Sequence, residues 1–401
     1  NIIKMKFLKM TLNINKKTKK MIILVAGGTG GHIFPSISIF HSLKNKFNFS
    51  VITDERGEKY FKNLKNKNNF DESLFINVFK SSSPFKRGIL HKIKFTFLVF
   101  FLIFKSIKLF LKLKPQLLIG FGGYSTVIPC LIAKLLGIRY LLHEQNAVMG
   151  RANKFLEKFS TFTFTSFKNT LPKSDFKKRI FSGTPVRKEF YDLNVKKDNE
   201  EKKKYFNILI FGGSLGADFF SSEIPDIICS LDKNVKNKLK VTHQVLQSKL
   251  KIVKESYSKN KIKSNVKTFF PNIIKHYKYA DLIIARSGGS TLAEVLISKI
   301  PSIIIPLKNS MDNHQVKNSN LISENFLGWV FHEDNIVKDD IINLLNRLIL
   351  NKRLNSQIIR NIKFFSEQTS RIQCNKLPYE IIYKKITRIL NNKIQYRKGS
   401  T

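Results

Sequence analysis

The sequence predicts an α/β protein made of two doubly wound parallel-sheet domains with a cleft between them. Three observations lead there. Short apolar runs feed glycine-rich turns that open helical patterns, four times in series. The strongest break in composition, a charged stretch over 188–204, has two of these units before it and two after. The chain of 401 residues, 42% of them hydrophobic and 35 of them Phe, is long enough for two or three well-filled cores.

The elements follow in order. Met21–Ala26 reads as a strand leading into Gly27-Gly28-Thr29-Gly30-Gly31-His32, and Pro35 is expected in the first turn of the next helix, where a missing N–H is tolerated. Gln116–Gly120 leads into Phe121-Gly122-Gly123-Tyr124 and an apolar helical stretch through Leu136. The segment Gly183-Thr184-Pro185-Val186-Arg187 precedes the charged break. Beyond it, Asn207–Phe211 leads into Gly212-Gly213-Ser214-Leu215-Gly216-Ala217, and Asp281–Ala285 into Arg286-Ser287-Gly288-Gly289-Ser290-Thr291 and the helical Leu292–Ile297. The expected organisation is a Rossmann-like first domain over 21–184, a second over 185–364, and a terminal helix at about 365–390 packing back on the first. Residues 1–20, with seven Lys and no acid, read as a disordered basic extension or as sequence upstream of a start at Met21.

Composition narrows the function. A net charge of +43 invites a nucleic-acid reading. However, the Lys are spread along the chain among many Asn, Ile and Phe, as AT-rich coding favours, and no zinc-finger spacing, RNP-like strand or basic-region heptad focuses them. Attraction to an anionic membrane surface is a third reading of the same charge. Three cysteines, Cys130, Cys229 and Cys374, stand far apart without a CxxC pair, which excludes a disulfide framework and a cysteine zinc site. There is no DxD triplet, HExxH or EF-hand loop, so nothing in the sequence demands a metal, and no cofactor is expected.

Glycine turns that open helices bring free N–H groups and a positive dipole end against an anion. No turn matches GxGxxG in full and no GxxxxGK[ST] occurs, so a dinucleotide fold or P-loop is unsupported. Four turns converging on one cleft suit a diphosphate-bearing ligand. Ser290 or Thr291 can cap the last of these helices, leaving Glu294 either to bind a ribose diol or to close a capping box. His32, at the mouth of the first helix, is either a neutral proton acceptor or a structural histidine bonded to backbone. His143-Glu144-Gln145-Asn146, read as following the strand Tyr140–Leu142, and Asp312-Asn313-His314-Gln315, following Ile303–Pro306, gather polar groups at strand ends.

Residues 95–104 read Phe-Thr-Phe-Leu-Val-Phe-Phe-Leu-Ile-Phe between Lys92, Lys94, Lys105 and Lys108. Ten residues are too few to span a bilayer, for which a helix needs about 20. The segment is therefore either a buried core helix or an interfacial patch that meets an anionic surface beside the cleft.

On seven stretches the chain resembles the MurG family of bacterial peptidoglycan glycosyltransferases: GGTGGHIFP (27–35), GFGGYST (120–126), HEQNAVMGRANK (143–154), GTPVR (183–187), GGSLGA (212–217), ARSGGSTLAE (285–294) and DNHQ (312–315). They stand in the family's order. The resemblance implies the GT-B architecture and inverting transfer of N-acetylglucosamine from UDP-GlcNAc to lipid I, giving lipid II, by a peripheral enzyme on the cytoplasmic face of the inner membrane. Under it, Thr29, Gly30 and Gly31 lie at the donor–acceptor junction, and Asn146, Arg187 and Ser214 contact the donor. Phe270 falls where a backbone group meets the uracil. Gly289, Ser290, Thr291, Leu292, Ala293 and Glu294 hold diphosphate and ribose, with Glu294 on the ribose hydroxyls, and Gln315 contacts the sugar. His32, Tyr124 and Glu144 fall in the acceptor half, with His32 the first choice of base and Glu144 the alternative. The apolar segment matches a membrane-docking patch, and no specific nucleic acid is expected as a partner. The chain departs from the family's usual residues at Leu215 (Gln), Gly289 (Ala), Met149 (Pro), Arg151 (Leu) and Thr126 (Ser). Two rival readings remain: an epimerase of the same architecture acting on UDP-GlcNAc, and a non-enzymatic basic protein with an eroded sugar site.

Overall fold

The computed structural model describes residues 19–65, 74–80, 89–173, 178–193, 204–213, 218–373 and 375–398. Residues 1–18 of the basic segment, and Ser214 and Leu215 of the third turn, lie outside the described residues.

Seven strands form the first sheet: β1 (Met21–Val25), β2 (Asn48–Thr53), β3 (Phe75–Val78), β4 (Leu117–Gly120), β5 (Arg139–Glu144), β6 (Phe162–Thr165) and β7 (Arg179–Phe181). Their order is β3-β2-β1-β4-β5-β6-β7, and every pairing is parallel. The second sheet holds β8 (Phe206–Phe211), β9 (Leu239–Gln244), β10 (Lys263–Lys267), β11 (Leu282–Ala285), β12 (Ser302–Ile304) and β13 (Trp329–Val330). It runs β10-β9-β8-β11-β12-β13, again all parallel.

The central strands are apolar throughout because helices cover both faces of each sheet. Ile22 and Leu24 enter one core cluster of the first domain while Ile23 and Val25 enter the other, as a period of two requires. Ile208 and Ile210 against Leu209 and Phe211 repeat the arrangement in the second domain. Strand order reverses between β1 and β4 in one sheet and between β8 and β11 in the other. The four glycine turns follow these four strands, so each pair flanks a switch point, where open α/β sheets bind ligands.

The structure redraws three local expectations. Pro35 sits in the second turn of the helix Gly30–Leu43, not the first, since that helix already begins at Gly30, inside the glycine turn. Strand β5 continues through His143 and Glu144 because both polar side chains find partners while buried. The apolar segment is part of a helix of 25 residues, Ile89–Leu113, with one face in the core and another exposed. Phe110 is buried in the first domain's core, with Leu102, Ile103 and Ile107 packed against it. Ile93, Phe97, Phe100, Phe104 and Leu111, at helical spacing, are exposed by 49–72%. Among the described residues no helix is long and apolar enough to cross a membrane.

The chain crosses between domains twice. After β7 it passes Gly183 (φ +76°) and sends Val186 and Phe190 into the second core. The helix Lys352–Ile372 packs Ile358 and Ile362 on that same core. The helix Pro378–Lys398 then returns Ile382, Ile386, Ile389 and Leu390 to the first core. The two crossings lie side by side: a Cβ built on Gly183 would stand 3.0 Å from Gln373 Nε2 and 3.3 Å from the Pro378 ring.

Candidate active site

The carboxyl ends of β1, β4, β8 and β11 open on one cavity of about 1050 Å³ between the domains. His32 stands where the first two turns meet. Its Nδ1 lies 3.0 Å from the Gly27 carbonyl, so Nδ1 carries the proton and Nε2 keeps a free lone pair. Gly122 (φ +95°) and Gly123 (φ +81°) pass so close that added Cβ atoms would lie 3.4 Å from Nε2 and 3.5 Å from Nδ1. Burial lowers the His32 pKa below its ordinary 6.5, and this outweighs the opposing pull of the Glu144 charge and the Gly27 carbonyl. The ring is a neutral imidazole with its acceptor nitrogen available. Tyr124, half-buried at the start of the next helix, lines the same wall of the cavity.

The first turn is held from below by a residue the sequence reading passed over. Asp54, 2% exposed at the end of β2, accepts the Gly28 N–H at 2.9 and 3.0 Å and the Gly57 N–H at 2.9 Å. Arg56 closes on its other oxygen at 3.2 Å. The available signal was an acid at the end of a strand adjacent to the switch point. Thr29, Gly30 and Gly31 all line the cavity. Pro35 has no N–H to give the Gly31 carbonyl four residues back, and that carbonyl instead accepts Ser290 Oγ from the other domain at 2.9 Å.

Glu144 is occupied. Its Oε1 accepts Asn146 N at 3.0 Å and Nδ2 at 3.1 Å, and its Oε2 accepts Gly150 N at 3.0 Å and Asn153 Nδ2 at 2.9 Å. Four donors on a carboxylate that is 2% exposed fix the loop 145–150 and leave no free lone pair for proton abstraction. Asn153 completes this set and lies within the stretch 143–154, but nothing in sequence alone marks it out.

On the second domain, the helix Gly289–Ser298 opens at the cavity with Gly288, Gly289, Ser290, Thr291 and Glu294 lining it. Leu292 turns into the core and Ala293 packs beside it, so neither side chain lines the cavity. Gly289 is required by close approach, because a Cβ there would lie 2.0 Å from the Gln145 carbonyl oxygen. Glu294 is buried against Arg187, with Oε1 3.2 Å from Nη2, and the guanidinium carbon lies 5.1 Å from the Phe34 ring centroid and 5.0 Å from that of Phe190. Burial raises the Glu294 pKa, partly offset by Arg187. Thus a carboxylate at a helix mouth and a cation stacked on two rings face the same space.

Phe270, 6% exposed, lines the cavity beside Phe269 and Pro271. Gln315 also lines it, with Oε1 taken by the Leu307 N–H at 3.0 Å, which leaves its amide N–H groups for a ligand. Ser214 falls outside the described residues. Of the expected residues, then, the structure brings His32, Tyr124, Glu144, Asn146, Arg187, Phe270, Glu294, Gln315 and the glycine turns to one cleft. Among the described residues no group of three His, Cys, Asp or Glu converges as metal ligands do.

Residues 22–165 match the glycosyltransferase family 28 N-terminal domain and residues 207–372 the glycosyltransferase family 28 C-terminal domain. A UDP-N-acetylglucosamine–N-acetylmuramyl-(pentapeptide) pyrophosphoryl-undecaprenol N-acetylglucosamine transferase of Rickettsia bellii is 36% identical over 86% of this chain and 94% of its own length. The protein of the same description from Wolbachia pipientis wMel is 32% identical over 87% and 94%. The crystal structure of Acinetobacter baumannii MurG superposes with a TM-score of 0.64 at 26% identity, covering 86% of this chain and 94% of that one. A UDP-glucosyltransferase of Polygonum tinctorium shares the fold, with a TM-score of 0.67 at 12% identity over 94% of this chain and 100% of that one. With both halves of the cleft matched in order and relatives above 30% identity along nearly their full length, the chain belongs to glycosyltransferase family 28.

Proposed function

We propose that this chain is an inverting N-acetylglucosaminyltransferase that moves GlcNAc from UDP-GlcNAc to lipid I, undecaprenyl-pyrophosphoryl-MurNAc-peptide, to form lipid II on the cytoplasmic face of the inner membrane. The observation that carries the reading is the His32 ring on the cavity shared by the donor-side and acceptor-side turns, with Nδ1 bonded to the Gly27 carbonyl and Nε2 left to accept a proton. The relatives' N-acetylglucosamine transferase activity supplies the chemistry that such a site serves.

The step balances as a single displacement. Nε2 of His32 takes the proton from an acceptor hydroxyl as that oxygen bonds to the anomeric carbon of GlcNAc. The bond from that carbon to the diphosphate oxygen breaks on the opposite face, and UDP leaves with the electron pair. Amides at the mouth of the helix Gly289–Ser298 face the charge growing on the diphosphate. Glu294 takes the ribose hydroxyls, Arg187 and Asn146 orient the donor, Gln315 donates to its sugar, and Phe270 flanks the uracil. Tyr124 lies on the acceptor side. Glu144 positions the loop that carries Asn146 and is not the base.

The exposed stripe Ile93, Phe97, Phe100, Phe104 and Leu111, flanked by exposed Lys92, Lys94, Lys108 and Lys112, fits docking on an anionic bilayer surface. Burying each Phe there is worth about 1.5–3 kcal/mol. Replacing Phe97, Phe100 and Phe104 with Ser should abolish sedimentation with anionic vesicles while leaving the fold intact.

The direct test incubates purified protein with labelled UDP-GlcNAc in detergent, with and without a lipid I analogue. Label should reach lipid only when acceptor is present. Conversion of UDP-GlcNAc without acceptor would mean an epimerase instead, and binding without turnover would mean an eroded site.

A further inference from the structure

Between the two domains lies one fully buried amide that no part of the proposed chemistry uses. Asn318, on the helix His314–Glu324, is 0% exposed. Its Oδ1 accepts the Ala147 N–H at 2.7 Å. Its Nδ2 donates to Asn146 Oδ1 at 3.1 Å and to the Ser287 carbonyl at 2.9 Å. Asn146 and Ala147 belong to the first domain, on the loop that Glu144 holds in place. Ser287 belongs to the second, in the turn after β11, and its Oγ donates to the Gln315 carbonyl at 2.7 Å.

We infer that Asn318 is a positioning residue whose carboxamide locks the Asn146–Ala147 loop to the Ser287 turn, setting the acceptor half of the site in register with the donor half. The chemistry of the arrangement is specific. Only a planar amide offers one acceptor and two donors in this geometry, and both donors are used on carbonyl oxygens from opposite sides of the cleft. Buried polar groups left unpaired are costly, so the loop and the turn hold one relative position or lose the two hydrogen bonds to Asn146 and Ala147 together, while the bond to Ser287 fixes the carboxamide within its own domain. The bare backbone of Gly289 beside the Gln145 carbonyl lets the two segments come close enough for the bridge to form. Asn318 touches no reacting atom. Its consequence for turnover rests on the transferase reading, whereas the bridge itself does not.

Asn318→Ala removes all three bonds, and the near-isosteric Asn318→Asp keeps the acceptor for Ala147 while setting an oxygen against two carbonyl oxygens. Both variants are compared with the parent in three measurements: transfer to a lipid I analogue, affinity for UDP, and hydrogen exchange at the Ala147 amide. Misplacement across the cleft should lower kcat on the order of tenfold to a hundredfold. UDP affinity should hold, and in Asn318→Ala the Ala147 amide should exchange faster while amides of β8 and β11 keep their protection. Parent-like kcat with parent-like exchange would overturn the inference. So would a parallel loss of kcat, UDP affinity and core protection, which would make Asn318 a stabiliser of the second domain alone. If the parent itself fails to transfer sugar, the transferase reading fails, and exchange at Ala147 still decides the bridge.

Discussion

Replacing His32 with Asn separates the two roles that its ring can play. The Asn amide nitrogen can reach the place of Nδ1 and keep the bond to the Gly27 carbonyl, now 3.0 Å long, but nothing then stands at Nε2 to accept a proton. Losing a general base costs about 10²- to 10⁴-fold in rate, equivalent to roughly 3–5 kcal/mol of barrier. The loss should appear in kcat, with UDP affinity unchanged. The pH profile gives a second, independent reading. The reactive form is the neutral ring, and burial lowers its pKa below 6.5. Activity should therefore persist as pH falls through 6.5 and decline only at the lowered value, and this acid limb should vanish from the residual activity of His32→Asn. The assay is kcat/KM for transfer between pH 5 and 8 with donor and acceptor varied separately. An acid limb at or above 6.5, or a UDP affinity that falls as far as kcat, would refute the assignment of His32 as base and make it a binding residue.

Three further outcomes follow from the same geometry. Glu294→Ala should raise the donor KM about tenfold to a hundredfold, the worth of hydrogen bonds to a charged group, with a smaller change in kcat; an unchanged KM would return Glu294 to a structural partner of Arg187. Gly289→Ala sets a methyl 2.0 Å from the Gln145 carbonyl oxygen, where ordinary contact begins at 3.4 Å, so the domains must part and transfer should fall; a parent-like rate would mean that the cleft yields at no cost. His143 and His243, buried and lowered to about 4 and about 3, favour the fold fully above the unfolded value near 6.5 and lose that contribution as pH falls. The melting temperature should accordingly drop between pH 7 and pH 5, and a rise over that interval would contradict the sign.

The parts of this molecule that were legible in sequence are those in which one residue type answers a local demand. Gly28, Gly122, Gly123 and Gly213 all have φ between +81° and +95°, a region costly for other residues, so each turn announces itself wherever it stands. The apolar strands between helices are equally plain, because both of their faces are covered. The partners of Asp54 and Asn318 were not legible, although an acid at a strand's end was an available signal for Asp54. Asp54 meets Gly28 only because β2 pairs with β1, and Asn318 meets Asn146 only because two domains close. Neither relation leaves a spacing to read. The helix Ile89–Leu113 failed to show its length for a different reason: with one apolar face in the core and another on the surface, it lacks the polar stripe that periodicity detects.

Of the five positions at which the resemblance leads one to expect another residue, Met149, Arg151 and Gly289 line the cleft, whereas Thr126 bonds the Gly122 carbonyl inside the first domain. Gly289 abuts the Gln145 carbonyl, and Arg151 reaches Asp312 across the cleft at 3.0 Å. Met149 is buried in the loop between them. All three lie on the seam, and none lies on the turn that carries His32. Of the contacts along this seam, the Arg151–Asp312 pair is exposed, and screening leaves it little to contribute. The Ser290 bond to the Gly31 carbonyl exists because Pro35 cannot compete for it. Asn318 is the fully buried member and joins both sides at once. With no side chain at 289 the donor turn lies directly against the Gln145 carbonyl, and a contact that sets the register of two segments this close must be short and directional and sit inside the seam rather than on its rim. The Asn318 carboxamide meets those conditions, whereas the rim ion pair, strengthened or removed, should change the salt dependence of closure without changing the register it reaches.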